Sequence, residues 1–455
     1  MHFIGIDIGT STICGVAVDF ENKKIDAVLR ENDSSINPDT QWEIIQDPLR
    51  IYLIVEEILN EFLRKFGDIK GIGITGQMHG ILYVDKDGKV ISPLINWQDG
   101  RGNLMIQENL SYADFLVKET GYRVASGFGL VTHFYNLKNK LIPDNTYKLC
   151  TIMDYVIMQL TREKTPRIDP SNAASLGFFD LKSMKFDVKS IRNVSMDPDI
   201  LPEVVRSGEI AGLYKKEIPV YTAIGDNQAS VLGSIRELKK SILVNIGTSG
   251  QISIYSDEFV KVNALETRPF PGGGYILVGA SLCGGVSFNI LKSLFEKTIE
   301  MFCQRIPSKV DFFKLANSID PGLLDNNDPL NIETLFNGSR ANQSRRGSIN
   351  NISMENLTPQ NLITGFFAGV CNELYDFYKI IPDRIKAETS VLIGSGNAIR
   401  KNSLLCKVFE KRFGHNLLIP KNKEEASFGA SICAAVGGNY INSFMEAGKV
   451  IEYIK

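Results

Sequence analysis

The sequence predicts an α/β protein of two domains built on one plan, and three observations carry that expectation. The first is size: 455 residues, at roughly 150 residues per domain, leave room for two large domains. The second is an echo. Asp7-Ile8-Gly9-Thr10-Ser11 ends an apolar run near the N-terminus, and Asn245-Ile246-Gly247-Thr248-Ser249 ends another in the second half. The third is the stretch after each copy, where further β-rich text leads into long amphipathic helices.

Taken in order, FIGIDIG is a β-rich run, and TICGVAVDFENKKIDAVLRE alternates as one or two further strands turning at Glu21-Asn22-Lys23. An antiparallel meander therefore opens the fold. Between Asp47 and Phe66 the apolar residues Ile51, Val55, Ile58, Leu59, Phe62 and Phe66 recur at helical spacing, and Gly67 is the expected stop. KGIGITG reads as a strand, and HGILYVDKDGKVIS as a hairpin around Lys86-Asp87-Gly88. In the second half ILVNIGTSGQISIYS is strand, glycine turn and strand, with β-rich text at GGYILVGAS and a helix from about Val286 to Phe302 beyond it. Helices are expected over Leu362–Ile381 and Asn402–Phe413, flanking the strand SVLIGSG. The Asn-, Gly-, Ser- and Pro-rich stretch from Asp320 to Asn351 reads as loop-dominated surface structure, and Glu424–Val436 as a small-residue helix suited to close packing near a hinge or a nucleotide. The junction falls between Asp226 and Lys240, giving domains of 1–235 and 236–455.

Composition narrows the function. Hydrophobic residues at 44%, charged residues at 22% and a net charge of -2 lack the basic excess that binding a phosphate backbone needs, so no nucleic-acid partner is expected. Seven cysteines stand singly with no CxxC pair, which fits reduced thiols rather than disulfides or zinc. The N-terminus has no basic segment leading into a long apolar stretch, and no later run suits a membrane. A cytoplasmic protein with no membrane partner is expected.

A hairpin tipped by Gly-Thr-Ser offers backbone N–H groups and hydroxyls where a phosphate can approach, because glycine has no Cβ in the way. Two such tips could clamp a polyphosphate. Asp7 could then hold Mg²⁺, whereas a second carboxylate at position 245 would repel phosphate oxygens. GIGITG matches GxGxxG by letter, but no helix opens after it, so a dinucleotide site is not expected. In GDNQAS an apolar strand delivers Asp226 to a turn before a helix, where it could accept a hydroxyl proton or simply cap the helix. GQMHG and NWQDGR supply amide, imidazole, carboxylate and guanidinium groups suited to a polyol. None of the four histidines, His79 included, is spaced for a metal.

Together GIDIGTSTICG, GITGQMHG, WQDGR, IGDNQAS, NIGTSG, GASLCGGVS, GSGNAIRKN and EEASFGA resemble, in order and over essentially the whole chain, the FGGY carbohydrate kinases of the actin/hexokinase-like superfamily. The resemblance implies two ribonuclease-H-like α/β domains with ATP and sugar in the cleft between them. It also implies Asp226 as general base, Asp7 as the Mg²⁺ residue, and Thr10, Ser11, Gly247 and Thr248 on the phosphates. Gly285, Asn289, Gly396 and Asn397 match nucleotide-contacting stretches. Gln77, Met78, His79, Asp226 and Asn227 match sugar positions, to which Gln98, Asp99 and Arg101 are added for a longer sugar. WQDGR, ASGFG, MDYV and DPSNAASLGFF resemble members acting on a seven-carbon ketose; a five-carbon ketose and an actin-like ATP-binding scaffold are the alternatives. The chain departs from the family at Gly394-Ser395-Gly396, where a glycine triplet is usual, so either Ser395 fits the backbone angles of that position or the turn differs.

Overall fold

The computed structural model describes residues 1–303, 311–338, 342 and 344–454. Two compact units share the chain: Met1–Gly233, Arg268–Gly274 and Glu424–Val450 form the first, and Ser234–Thr267, Tyr275–Lys423 and the residues from Ile451 form the second. The first crossing lies inside the expected junction. Neither the short excursion at Arg268–Gly274 nor the return of Glu424–Val450 matches a boundary visible in the sequence.

In the first unit the expected meander is present: His2–Ile8 pairs antiparallel with Thr12–Asp19, and that strand with Lys24–Glu31. On its other side His2–Ile8 runs parallel to Ile69–Gly76, which also takes Ile218–Tyr221 and Ile224–Gly225 as parallel partners. The second unit repeats this order with Tyr275–Ser281, Gly250–Ser256, Ser241–Ile246, Val391–Ser395 and Leu417–Pro420, antiparallel across the first three and parallel thereafter. The echo in the letters is thus an echo in topology.

Local chemistry explains the helices on these sheets. Asp47 caps the helix Pro48–Lys65 by accepting from the N–H of Leu49 and Arg50, and proline occupies its first turn, where a missing N–H does no harm. Its buried stripe is Ile51, Ile54, Val55, Ile58, Leu59 and Phe62, and the chain leaves the helix at Phe66, one residue before the expected glycine. The stripe packs with Ile4, Ile6, Ile8 and Ile13 in the first core. Helices Gly285–Cys303, Pro359–Lys379 and Ser403–Phe413 lie close to their expected positions.

The returning helix Glu425–Gly437 explains Gly73 of GIGITG and Gly5 of GIDIG. A Cβ on Gly5 would lie 1.8 Å from the carbonyl oxygen of Ser427, and one on Gly73 would lie 1.9 Å from that of Ala430. Helix backbone rests directly on strand backbone, so these glycines serve packing and not a dinucleotide. The same helix meets Asp226–Ser234, where Cβ atoms on Gly233 and Gly429 would strike the carbonyls of Glu425 and Ala229.

The hairpin in HGILYVDKDGKVIS is present but short: Val84 bridges Val90, the Asp85 N–H donates to the Lys89 carbonyl and the Ile91 N–H to the Tyr83 carbonyl, while Leu82–Val84 finds its longer ladder with Lys148–Cys150, beyond the reach of local pattern. The stretch 320–351 is mostly irregular, with one short ladder in which Asn331–Glu333 and Ser348–Asn350 pair antiparallel, while 339–341 and 343 lie outside the described residues. Cys14, Cys150, Cys283, Cys371 and Cys433 are buried free thiols.

Candidate active site

In the first unit three parallel strands end level with one another. Asp7 pairs with Thr75 and Ile8 with Gly76, and on the far side Ile224 pairs with Thr75 and Gly225 with Gly76. The Thr75 hydroxyl reinforces this by donating to the Ile224 carbonyl at 2.7 Å. Gly9, Gln77 and Asp226 consequently leave the sheet side by side at its carboxyl edge, where α/β sheets collect their ligands.

The charges there are crowded. Burial, then the Asp226 and Glu424 carboxylates, push the Asp7 carboxyl up to about 7. Asp226 is the first residue of its helix; burial raises its carboxyl, and the Arg268 guanidinium and the Asn227 N–H oppose that rise. Among the described residues no three His, Cys, Asp or Glu side chains form a complete metal cage. That donor set fits Mg²⁺, which takes one or two carboxylates and completes its shell with water and phosphate oxygens.

The first hairpin is held by side chains that sequence reading did not single out. Asn32 Nδ2 donates to the Gly9 carbonyl at 2.8 Å, Gln46 Nε2 to the Thr10 carbonyl at 3.1 Å, and the Asn32 N–H to the Ser11 carbonyl at 3.0 Å. The Thr10 hydroxyl accepts from Trp97 Nε1 at 3.0 Å and donates to Gln77 Oε1 at 3.4 Å.

Of the expected sugar residues, His79 has φ +74°, a left-handed conformation uncommon outside glycine. Its N–H donates to Ser175 Oγ at 3.1 Å, and Nδ1 lies 2.7 Å from the Ser175 carbonyl. A carbonyl can only accept, so Nδ1 carries the proton. Met78 is buried against Gly225, where a Cβ would lie 2.7 Å from its Cε. Asn227 Oδ1 is buried and finds no donor among the described residues, an acceptor of the kind a ligand hydroxyl satisfies.

The NWQDGR residues divide. Trp97 and Gln98 are exposed, but Asp99 and Arg101 are 1% and 3% exposed and grip each other at 2.7 and 3.1 Å. Arg101 also donates to Asn136 at 2.6 Å and stacks near Trp42 and Tyr135, while Asp99 accepts from the Ile44 N–H. Most of their bonding capacity is spent inside the protein, tying this loop to the segment that carries Gln46.

In the second unit the Gly247–Ser249 tip sits on the start of Gly285–Cys303. Gly285 N–H donates to the Gly247 carbonyl at 2.8 Å, and the N–H groups of Gly284 and Val286 donate to the Thr248 carbonyl at 3.1 and 3.2 Å. Asn245 runs parallel to Ser395, and Gly396, not Ser395, takes the positive φ of +85°. Ser395 ends its strand in ordinary extended backbone, so the missing glycine imposes no strain there. A Cβ on Gly396 would lie 2.5 Å from the Ile246 carbonyl. Thr248, Asn289 and Asn397 are exposed.

Residues 2–233 match the N-terminal domain of the FGGY family of carbohydrate kinases. The chain is 25% identical over 472 residues to sedoheptulokinase from Mus musculus, covering 94% of this chain and 96% of the relative. It is 26% identical to a xylulose kinase from Staphylococcus xylosus, covering 98% and 92%. Ligand-bound xylulose kinase from Lactobacillus acidophilus superposes with a TM-score of 0.83 at 20% identity, covering 100% of this chain and 93% of that one. The chain belongs to the FGGY family of carbohydrate kinases, and with it to the ATP-dependent phosphotransferases that act on sugar hydroxyls. Its fold is the actin/hexokinase-like α/β fold of those kinases. Among the described residues no helix is long and apolar enough to cross a membrane.

Proposed function

We propose that this kinase transfers the γ-phosphoryl group of ATP to a hydroxyl of a ketose, sedoheptulose, to give sedoheptulose 7-phosphate. The observation that carries the chemistry is the placement of Asp226, one residue beyond a strand end and level with Gly9, at the same sheet edge as Asp7. Asp226 accepts the hydroxyl proton as oxygen attacks phosphorus, and Asp7 holds Mg²⁺, which would neutralise charge on the phosphates. Arg268 supports this role by favouring the ionised form of Asp226.

Residues 1–235 supply the sugar site and the first phosphate hairpin; residues 236–455 supply the second hairpin and the adenosine contacts. Mg-ATP is held between the two hairpins by Thr10, Ser11, Gly247 and Thr248, with Gly285, Asn289, Gly396 and Asn397 toward the nucleoside. Gln77, Met78, His79 and Asn227 Oδ1, which finds no donor among the described residues, face the sugar, Gln98 reaches its far end, and Asp99 and Arg101 hold that loop in place. ATP as the donor suits a cytoplasmic site of action. The similarity to xylulose kinases over nearly the whole chain favours xylulose as the second reading.

Incubation with Mg-ATP and a panel of ketoses, with products identified by mass spectrometry and NMR, tests the assignment. The expected product is the 7-phosphate of the seven-carbon sugar, formed with a higher kcat/KM than any five-carbon product. A larger kcat/KM for xylulose reassigns the substrate, and ADP release indifferent to every ketose rejects the transfer chemistry.

A further inference from the structure

We infer that Gln46 is a positioning residue that orients the first phosphate hairpin and the sugar loops through one buried amide. The inference rests on the reading of the chain as a ketose kinase. Gln46 is 1% exposed, and all of its amide is engaged. Nε2 donates to the Thr10 carbonyl at 3.1 Å and to Ser34 Oγ at 3.0 Å; Oε1 accepts from Gln77 Nε2 at 2.9 Å and from Asn96 Nδ2 at 3.5 Å. Thr10 belongs to the hairpin, Gln77 to the loop that carries His79, and Asn96 to the loop that carries Trp97 and Gln98. One side chain touches all three.

Its effect on the hairpin is a consequence of covalent geometry. In a trans peptide the C=O and the next N–H point to opposite sides of the chain, and the structure contains no cis peptide among the described residues. Asn32 Nδ2 pins the Gly9 carbonyl and Gln46 Nε2 pins the Thr10 carbonyl. The N–H groups of Thr10 and Ser11 are thereby turned to the opposite side, as an anion-binding tip requires. Ser34 completes the brace, its hydroxyl donating to Asn32 Oδ1 at 2.6 Å while accepting from Gln46. With Gln46 absent, the Thr10–Ser11 peptide is free to rotate, and Gln77 loses the acceptor that fixes its amide.

Two substitutions separate positioning from bulk stability. Gln46→Met keeps the volume and removes every hydrogen bond; Gln46→Glu keeps the acceptor for Gln77 and Asn96 but removes the donor to Thr10. The expected result is that Gln46→Met raises the KM for both ATP and ketose by about ten-fold, the size of one buried hydrogen bond. Gln46→Glu raises the ATP KM by a similar factor and the ketose KM by less. Tyr378→Phe, which removes a part-buried bond to Thr389 in the second unit, is the control for lost stability and leaves both KM values within two-fold. A second readout needs no catalysis. In the Trp42→Phe protein Trp97 is the sole tryptophan, and its Nε1 bond to Thr10 makes its emission a reporter of the hairpin. Adding Gln46→Met shifts that emission to the red and increases its quenching by acrylamide, without ligand. Unchanged Trp97 emission and quenching overturn the inference, as does a Gln46→Met enzyme with both KM values within two-fold of the parent. Absence of ketose-dependent turnover in the unmutated protein defeats the kinase reading instead, and the emission result then decides the positioning role by itself.

Discussion

The two glycine hairpins carry nearly the same letters and reach the same peptide orientation by different means. In the first unit the carbonyls of Gly9 and Thr10 are pinned by side chains, Asn32 and Gln46. In the second the equivalent carbonyls, of Gly247 and Thr248, are pinned by main-chain N–H groups at the start of a helix. The last ladder pair also differs, Ile8–Ile13 in one and Ile246–Gly250 in the other, so the first turn is longer by one residue. Repetition in sequence preserves what the tip must present, while its support is free to diverge. A side-chain brace can communicate with neighbouring loops, as Gln46 does; a main-chain brace is rigid and sensitive chiefly to Cβ atoms.

The contrast is sharpest where the first unit carries Asp7 at its hairpin and the second carries Asn245, with Asp226 one residue past a neighbouring strand of the first. Asp226→Asn is expected to lower kcat by roughly 10² to 10⁴ while leaving ATP binding, measured by calorimetry, nearly intact. A kcat within two-fold of the parent would remove Asp226 from the chemistry and leave the two hairpins functionally alike.

The main-chain brace can be broken at Gly284, where a Cβ would lie 2.3 Å from the Ser249 carbonyl. Displacing the helix start from the tip costs about 1–3 kcal/mol, so Gly284→Ala should raise the ATP KM by roughly ten to a hundred fold with little change in the ketose KM. Steady-state titration of each substrate checks this. Equal effects on both substrates would show that the second hairpin is coupled to sugar recognition.

A third variant separates burial from charge crowding within the first unit. Asp7 is raised by burial and by two neighbouring carboxylates. Asp154 is also raised to about 7, with burial the first cause and Asp169 only a minor one. Between the ordinary carboxylate value and about 7 the folded chain keeps the Asp154 proton and the unfolded chain has lost it, so stability falls as pH rises through that window. Asp154→Asn cannot ionise. Its advantage over the parent should grow by about 2 kcal/mol from pH 5 to pH 7, read from urea midpoints at the two pH values. A difference independent of pH would show that Asp154 is ionised in the fold.

Legibility in the letters obeys a physical rule. The strand meander, the helix Pro48–Lys65 and the alignment of Asp7 and Asp226 with strand ends are visible because period, caps and glycine turns are properties of neighbouring residues. Gln46, Asn32 and Ser34 gave no such signal, since polar residues in short irregular segments look alike whether exposed or buried. WQDGR shows the same limit from the other side: its letters suggested polar contacts to a sugar, yet Asp99 and Arg101 are turned inward to Asn136 and Ile44 while Gln98 remains outside.

The sequence by itself determined the duplicated strand-turn-strand plan and the residue types at each tip, because those depend on backbone preference over a few residues. Only the tertiary structure decided that Glu424–Val450 returns to the first unit, that Gly5 and Gly73 exist to admit that helix, and that one buried amide joins the hairpin to the Gln77 and Asn96 loops. Each of these turns on which groups meet across long separations in the chain, and burial then fixes their partners, since a polar group removed from water must find another.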